Sequence, residues 1–246
     1  MTGWRELETA LDAVAEQGKA IRLWWRDDDA GRDDAALERL LELAEQRALP
    51  VALAVVPVWL ETSAQARIAA STQATVLQHG YAHANHALAG SKSCELCERD
   101  IGSIVSELVR GRQALVDAFG GTFLAVLVPP WNRIDPRLIE RLTACGFCGL
   151  STYGRRVAAE PASGLRQVNA HLDPIDWHGD RLFVGEVAAL ERLMAVLDPD
   201  EPIGILSHHL AMDEPGWRFL DQLLGMLAAH PGAVLCSASQ VFEAGQ

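Results

Sequence analysis

Three consecutive carboxylates, Asp27, Asp28 and Asp29, follow directly on a segment at 20–26 that contains the apolar residues Ile21, Leu23 and Trp25. Like charges crowded at the end of a buried strand repel one another, so water in a loop or a cation must compensate for them. Farther along, His79 and His83 stand four residues apart, which predicts two imidazoles on one side of a helical turn. One aspartate and two histidines with open positions left over make the ligand set of a catalytic metal rather than a structural one. A hydrolytic site also needs a carboxylate near the activated water that is not itself a ligand, and a run of three can supply both. Each cluster alone also has a plain reading. The histidines could be surface or packed residues, and the aspartates a solvated turn before a capped helix.

The cysteines offer a competing metal site. Cys94-x-x-Cys97 and Cys145-x-x-Cys148 together have the composition of a four-thiolate zinc centre. Cys145 falls near a helix end and Cys148 enters a strand, so the second pair lacks the knuckle such a site needs. Cys236, in an apolar run, reads as core.

These residues need elements to position them. Short apolar runs at 20–26, 51–57, 74–78, 123–129, 147–151, 164–168, 203–207 and 233–237 predict strands. Helical spacing lies between them. Leu37, Leu40, Leu41 and Ala44 share one face, as do Ile101, Ile104, Leu108, Leu115 and Phe119, and as do Trp217, Leu220, Leu224 and Leu227. Asp135 before Pro136, and Asp213 before Pro215, read as helix caps, and Asp33 and Asp34 as caps of the helix around Leu40. Alternating strands and helices predict an α/β chain with a parallel sheet, here a distorted (β/α)7-8 barrel over 1–246 as a single domain. A doubly wound sheet is the alternative. In either fold the active site lies at the C-terminal rim of the strands. Five polar clusters fall there: 27–29, 78–86, 128–132, 171–179 and 206–214.

Taken together and in order, the five clusters resemble the polysaccharide deacetylase family, the NodB-homology carbohydrate esterases, from about Ile21 to Trp217. The resemblance implies one divalent metal, zinc by default, with iron, cobalt, nickel or manganese also suited to an Asp/His/His site. It implies Asp28 as catalytic base and Asp29 as metal ligand, with Asp27 auxiliary; Asp27 as base and Asp28 as ligand is the other register. His79 and His83, in "HGYAH", become ligands, with Gly80 where the family has Ser or Thr. In "VPPWN", Trp131 takes an aromatic position whose backbone N–H helps hold the oxyanion. The family usually has arginine where Val128 stands, and that arginine steadies the catalytic aspartate. Arg26 is the nearest positive charge and is expected to replace it. Asp176 and Trp177 match the fourth motif, with Trp177 walling a small acyl pocket and Asp176 keeping His208 protonated. Leu206 closes that pocket, and His208 is the acid for the leaving nitrogen, with His209 its rival. His86, His171 and His178 have no family role and read as surface or supporting residues.

The implied activity is metal-assisted removal of an N-acetyl or other small N-acyl group from a sugar-type substrate. A cyclic amide or ureide hydrolase, or a catalytically weak sugar-binding protein, is the alternative. A net charge of −12 argues against nucleic acid or an anionic membrane as the main partner. No run is long and apolar enough for a membrane span, and the polar N-terminus lacks a signal-peptide pattern. With an odd cysteine count, these features predict a cytoplasmic protein.

Overall fold

A computed structural model describes residues 3–243. The described residues form nine strands: β1 (Ile21–Ala30), β2 (Val51–Val55), β3 (Ala74–His79), β4 (Phe123–Val128), β5 (Gly149–Leu150), β6 (Arg166–Gln167), β7 (Ala170–Leu172), β8 (Ile203–Ser207) and β9 (Ala233–Leu235). The helices are α1 (Trp4–Ala15), α2 (Ala35–Arg47), α3 (Thr62–Ala70), α4 (Ile101–Phe119), α5 (Pro136–Ile139), α6 (Glu186–Met194), α7 (Glu214–Ala229) and α8 (Ala238–Glu243). The strand order is β6-β5-β4-β3-β2-β1-β8-β7, and β9 pairs with the start of β1; the strand pairings are parallel. The two ends of that order, β6 and β7, are separated in the chain by only Val168 and Asn169. One extended segment therefore pairs with β5 on one side and β8 on the other. That closes the sheet into the distorted barrel expected from the alternating pattern.

Strand alternation sorts the side chains of β1. Leu23 and Trp25 face an outer layer formed with α2, α6 and α7, where Leu37, Leu40, Leu190, Leu220 and Leu224 are fully or almost fully buried. Trp24 faces the lumen, among Ala52, Ala54, Val126 and Val128, with its ring edge-on to Phe242 of α8 at 5.6 Å. The capping aspartates act largely as expected. Asp34, Asp135 and Asp213 accept backbone N–H groups at the starts of α2, α5 and α7. Asp33 does not cap; its carboxylate pairs with Arg67.

Several sequence expectations need correcting. β1 runs on through the aspartates to Ala30, and its register with β2 shifts between Asp27 and Ala30, where Asp29 takes φ 72°. The carboxylates are therefore part of a bulged strand rather than a loop. Cys94 and Cys97 form a disulfide, whereas Cys145, Cys148 and Cys236 are free thiols. No four-thiolate site exists among the described residues, and the cysteine count no longer argues for a reducing compartment. No helix among them is long and apolar enough to cross a membrane. His171 is buried in β7 rather than on the surface, its Nδ1 accepting the Gly204 N–H at 3.1 Å.

That burial, reinforced by Arg155 and Arg156, pushes the His171 pKa down to about 4. Below its ordinary value of 6.5 an unfolded chain takes a proton that the folded chain refuses until about pH 4. His171 therefore makes stability fall as pH drops through that window. Thermal melts from pH 7 to pH 4 should fall more steeply for the wild type than for His171→Asn. Parallel curves would discard this role.

Candidate active site

The three aspartates leave β1 in three directions. Arg26 and Asp28, two residues apart, share the lumen face, and both are almost wholly buried. Arg26 Nη2 donates to Asp28 Oδ2 at 3.0 Å, while Nε lies 2.9 Å from Oδ1 in a less aligned contact. The remaining donors reach the Asn132 side chain (2.9 Å), the Ser151 hydroxyl (2.7 Å) and the Thr152 carbonyl (3.3 Å). The guanidinium thus gives every N–H a polar neighbour and fixes the carboxylate on two sides. Arg26 is the buried partner of Asp28, as expected, and not an exposed residue at a strand end. Val128, at the end of β4, packs in the apolar lumen and leaves its carbonyl for His79.

Asp27 faces the opposite way. Its carboxylate accepts from the Ser207 hydroxyl (2.6 Å) and the His209 N–H (3.1 Å), and pairs with His209 Nδ1. Burial disfavours charge on His209, but Asp27 outweighs it and raises the pKa. Asp27 and His209 therefore neutralise each other and pin the segment that carries His208. Asp27 is committed to β8, leaving Asp28 and Asp29 at the rim.

Asp29 Oδ1 lies 3.3 Å from His79 Nε2 and 3.2 Å from His83 Nε2. Among the described residues these three form the group able to hold a metal ion, their ligand atoms all within 4.8 Å of one another. The histidines converge through a loop and not a helical turn: His79 ends β3, and His83 has φ 54°. His79 Nδ1 lies 2.9 Å from the Val128 carbonyl, which can only accept, so that nitrogen carries the proton. Nε2 faces Asp29, and in the neutral ring it is the nitrogen with the free lone pair. Orientation of a ligand histidine by a backbone carbonyl is the usual support for a metal site. Three acceptor atoms turned on one point fit a cation.

Electrostatics agree with that reading. Burial would raise the Asp29 pKa, but hydrogen bonds from His79 and His83 and the charge of His79 and His208 outweigh it and hold the carboxyl far below its ordinary range. Burial likewise opposes charge on His79, and Asp28 and Asp29 overcome it. The site attracts positive charge at neutral pH.

Aromatic rings wall the rim. Trp131, with φ 55°, places its ring 4.3 Å from that of His83. Trp59, just beyond β2, lies on the same imidazole at 5.3 Å, and Arg32 sits 4.5 Å over the Trp59 ring. Trp177 meets His208 edge-on at 4.7 Å and donates its indole N–H to Asp173 Oδ2 at 2.7 Å. Leu206 is fully buried on the inner face of β8, two positions before His208.

One expected partner changes. Asp173, not Asp176, is the carboxylate near His208, with Oδ2 3.7 Å from Nδ1. Asp176 instead accepts the His178 and Gly179 backbone N–H groups in an outer turn. Both aspartates lie within "DPIDW", and only the end of β7 decides which faces inward. Asn132, Ser151, Asp173 and Trp59 were missed as site residues. A polar residue closing "VPPWN", and a tryptophan beyond the proline that ends β2, were the available signals.

No family model matches this sequence, and no curated protein matches it. Solved structures of similar fold exist. The Bc1960 peptidoglycan N-acetylglucosamine deacetylase aligns with a TM-score of 0.62 at 16% identity, over 92% of this chain and 89% of that one. The peptidoglycan deacetylase PdaC from Bacillus subtilis gives 0.60 at 15%, over 92% and 91%. A family 4 carbohydrate esterase from Streptomyces lividans, in complex with acetate, gives 0.57 at 16%, over 92% and 95%. The chain shares the deacetylase fold over most of its length.

The ligand assignment predicts that His83→Ala loses most bound zinc while the chain still folds. Elemental analysis after dialysis checks it, and unchanged zinc content in the variant would remove His83 from the site.

Proposed function

We propose that this chain is a metal-dependent hydrolase that removes an N-acetyl or similarly small N-acyl group from a sugar-type substrate. One observation carries the reading. Asp28 is held by Arg26 at the rim beside an Asp29–His79–His83 ligand set without belonging to it, and His208 lies on the same rim. The solved structures of similar fold include enzymes named as deacetylases of peptidoglycan, which supports the substrate class.

A divalent cation held by Asp29, His79 and His83 would supply Lewis acidity toward water and toward an acyl oxygen. Asp28 takes a proton from the attacking water as its oxygen bonds to the acyl carbon. The Trp131 backbone N–H, turned by the left-handed backbone at Trp131 and Asn132, faces the oxyanion that develops. His208, with Nδ1 toward Asp173, presents Nε2 to the departing nitrogen and protonates it as the C–N bond breaks. The products are a carboxylate and a free amine. Leu206 and Trp177 confine the acyl methyl, and the exposed face of Trp177 is available to a sugar ring.

Acetate release from a panel of N-acetylated monosaccharides, chitooligosaccharides and peptidoglycan fragments, with cyclic amides beside them, tests the substrate class. Release from the sugars supports the proposal; turnover of the cyclic amides alone would replace it. Asp28→Asn should retain zinc and lose roughly two to four orders of magnitude in turnover, the usual contribution of a general base. Loss of zinc in that variant would instead make Asp28 a ligand. Arg26→Gln leaves a buried carboxylate unpaired and should cost about 3–5 kcal/mol of stability, measured by urea unfolding.

A further inference from the structure

The metal-ligand turn has a support that the catalytic reading does not use. Gly80, Tyr81 and Ala82 join His79 to His83, and their backbone polar groups are held from several sides. The Gly80 N–H donates to the Val128 carbonyl at 3.0 Å, and the Gly80 carbonyl accepts from Gln78 Nε2 at 2.8 Å. The Tyr81 carbonyl accepts from the Val58 N–H at 3.1 Å. The Tyr81 and Ala82 N–H groups both donate to one carboxylate, that of Glu95, at 3.2 and 2.7 Å. Glu95 is 1% exposed, so its charge is balanced by those amides rather than by bulk water.

Glu95 lies inside the ring closed by the Cys94–Cys97 disulfide. That ring touches both loops of the site. The Cys94 carbonyl accepts the His86 N–H, the Leu96 carbonyl accepts the Asp135 N–H, and Leu96 bridges to Ile134 just beyond the Trp131 loop. Gly80 fits the same arrangement. A Cβ at that position would fall 2.0 Å from Glu95 Oε2 and 2.6 Å from Pro130, at φ +54°. The space beside Gly80 is filled by the carboxylate.

We infer that Glu95 is a positioning residue for the metal-ligand turn, held in place by the Cys94–Cys97 ring, so that opening the ring weakens metal binding. The inference rests on the metal reading above. The opening step is ordinary thiol–disulfide exchange. A thiolate of a dithiol reductant attacks the Cys97 sulfur, which is the less buried of the two. The S–S bond breaks, two electrons and two protons yield the Cys94 and Cys97 thiols, and the reductant closes to its own disulfide. The freed segment then no longer fixes Glu95 against Tyr81 and Ala82, and His83 loses its defined direction.

The test is zinc affinity, measured by chelator competition on the full chain. The wild type is compared with Glu95→Ala, Glu95→Gln, the double variant Cys94→Ser/Cys97→Ser, and the combination of Glu95→Ala with that double variant. Serine variants avoid the new zinc ligands that free thiols would provide. Near-UV circular dichroism of each metal-free protein reports whether the fold is kept. Supporting residues around a metal site typically contribute about 10–100-fold in affinity. Glu95→Ala should lose that much with its fold intact, and Glu95→Gln, which can still accept from Ala82, should lose less. The cysteine double variant should lose about tenfold, near the lower end of that range. It should add little when combined with Glu95→Ala, because its effect passes through the same carboxylate. Wild-type affinity in a folded Glu95→Ala, or fully additive losses in the combination, would overturn the inference. A wild-type chain that binds no zinc would instead overturn the metal reading itself.

Discussion

Three adjacent carboxylates at the end of a buried strand form the constraint around which the rim is built. Two unit charges 4 Å apart at an effective dielectric near 20 repel by about 4 kcal/mol, so the run cannot be left to itself. Pleating supplies the first part of the answer by turning Asp27 and Asp28 to opposite faces, and the bulge turns Asp29 toward the histidines. Each carboxylate then meets a different positive or proton-donating partner: Asp27 meets His209 and Ser207, Asp28 meets Arg26, and Asp29 meets His79 and His83. The charges become compatible because no two compete for the same partner.

The same partition draws the surrounding loops into place. Arg26 holds Asp28 and also reaches Asn132 after β4 and Ser151 and Thr152 after β5. Asp27 holds the end of β8, and with it the backbone that carries His208. Positive φ at Trp131 and Asn132 has a local cost of roughly 1–3 kcal/mol per residue. The Asn132–Arg26 hydrogen bond and the Trp131–His83 contact offset it. The arrangement of the rim is a by-product of charge balance in the barrel lumen.

Much of the fold was legible because buried parallel strands read as apolar runs and the helices carry clean periodic faces. β7 was not legible: "AHL" is three residues long, follows two others without a turn signal, and exists as a strand only because β8 lies beside it. The extension of β1 through the aspartates was hidden because charged residues read as loop, and only Arg26 and His209, one of them from a distant segment, make burial tolerable there. The convergence of His79 and His83 was expected from their spacing, yet the assumed helical turn was wrong. A turn held by Gln78, Val58 and Glu95 brings the rings together at the same separation in sequence. The inward choice between Asp173 and Asp176, and the pairing of Cys94 with Cys97, depend on tertiary neighbours that local patterning does not encode.

The arginine expected at position 128 from the family resemblance is absent, and Arg26 is the cation that meets Asp28. A carboxylate in a low-dielectric lumen needs a cation with two aligned donors, but that cation can come from any stave whose side chain reaches it. From β1 it is already on the same face, two residues away. The nearby pair takes less conformational freedom to hold, and it leaves position 128 free for an apolar side chain against Trp24 and Val126. It also ties Asp28 to its own strand rather than to the loop after β4. The Trp131 loop is linked to Asp28 through the Asn132–Arg26 hydrogen bond.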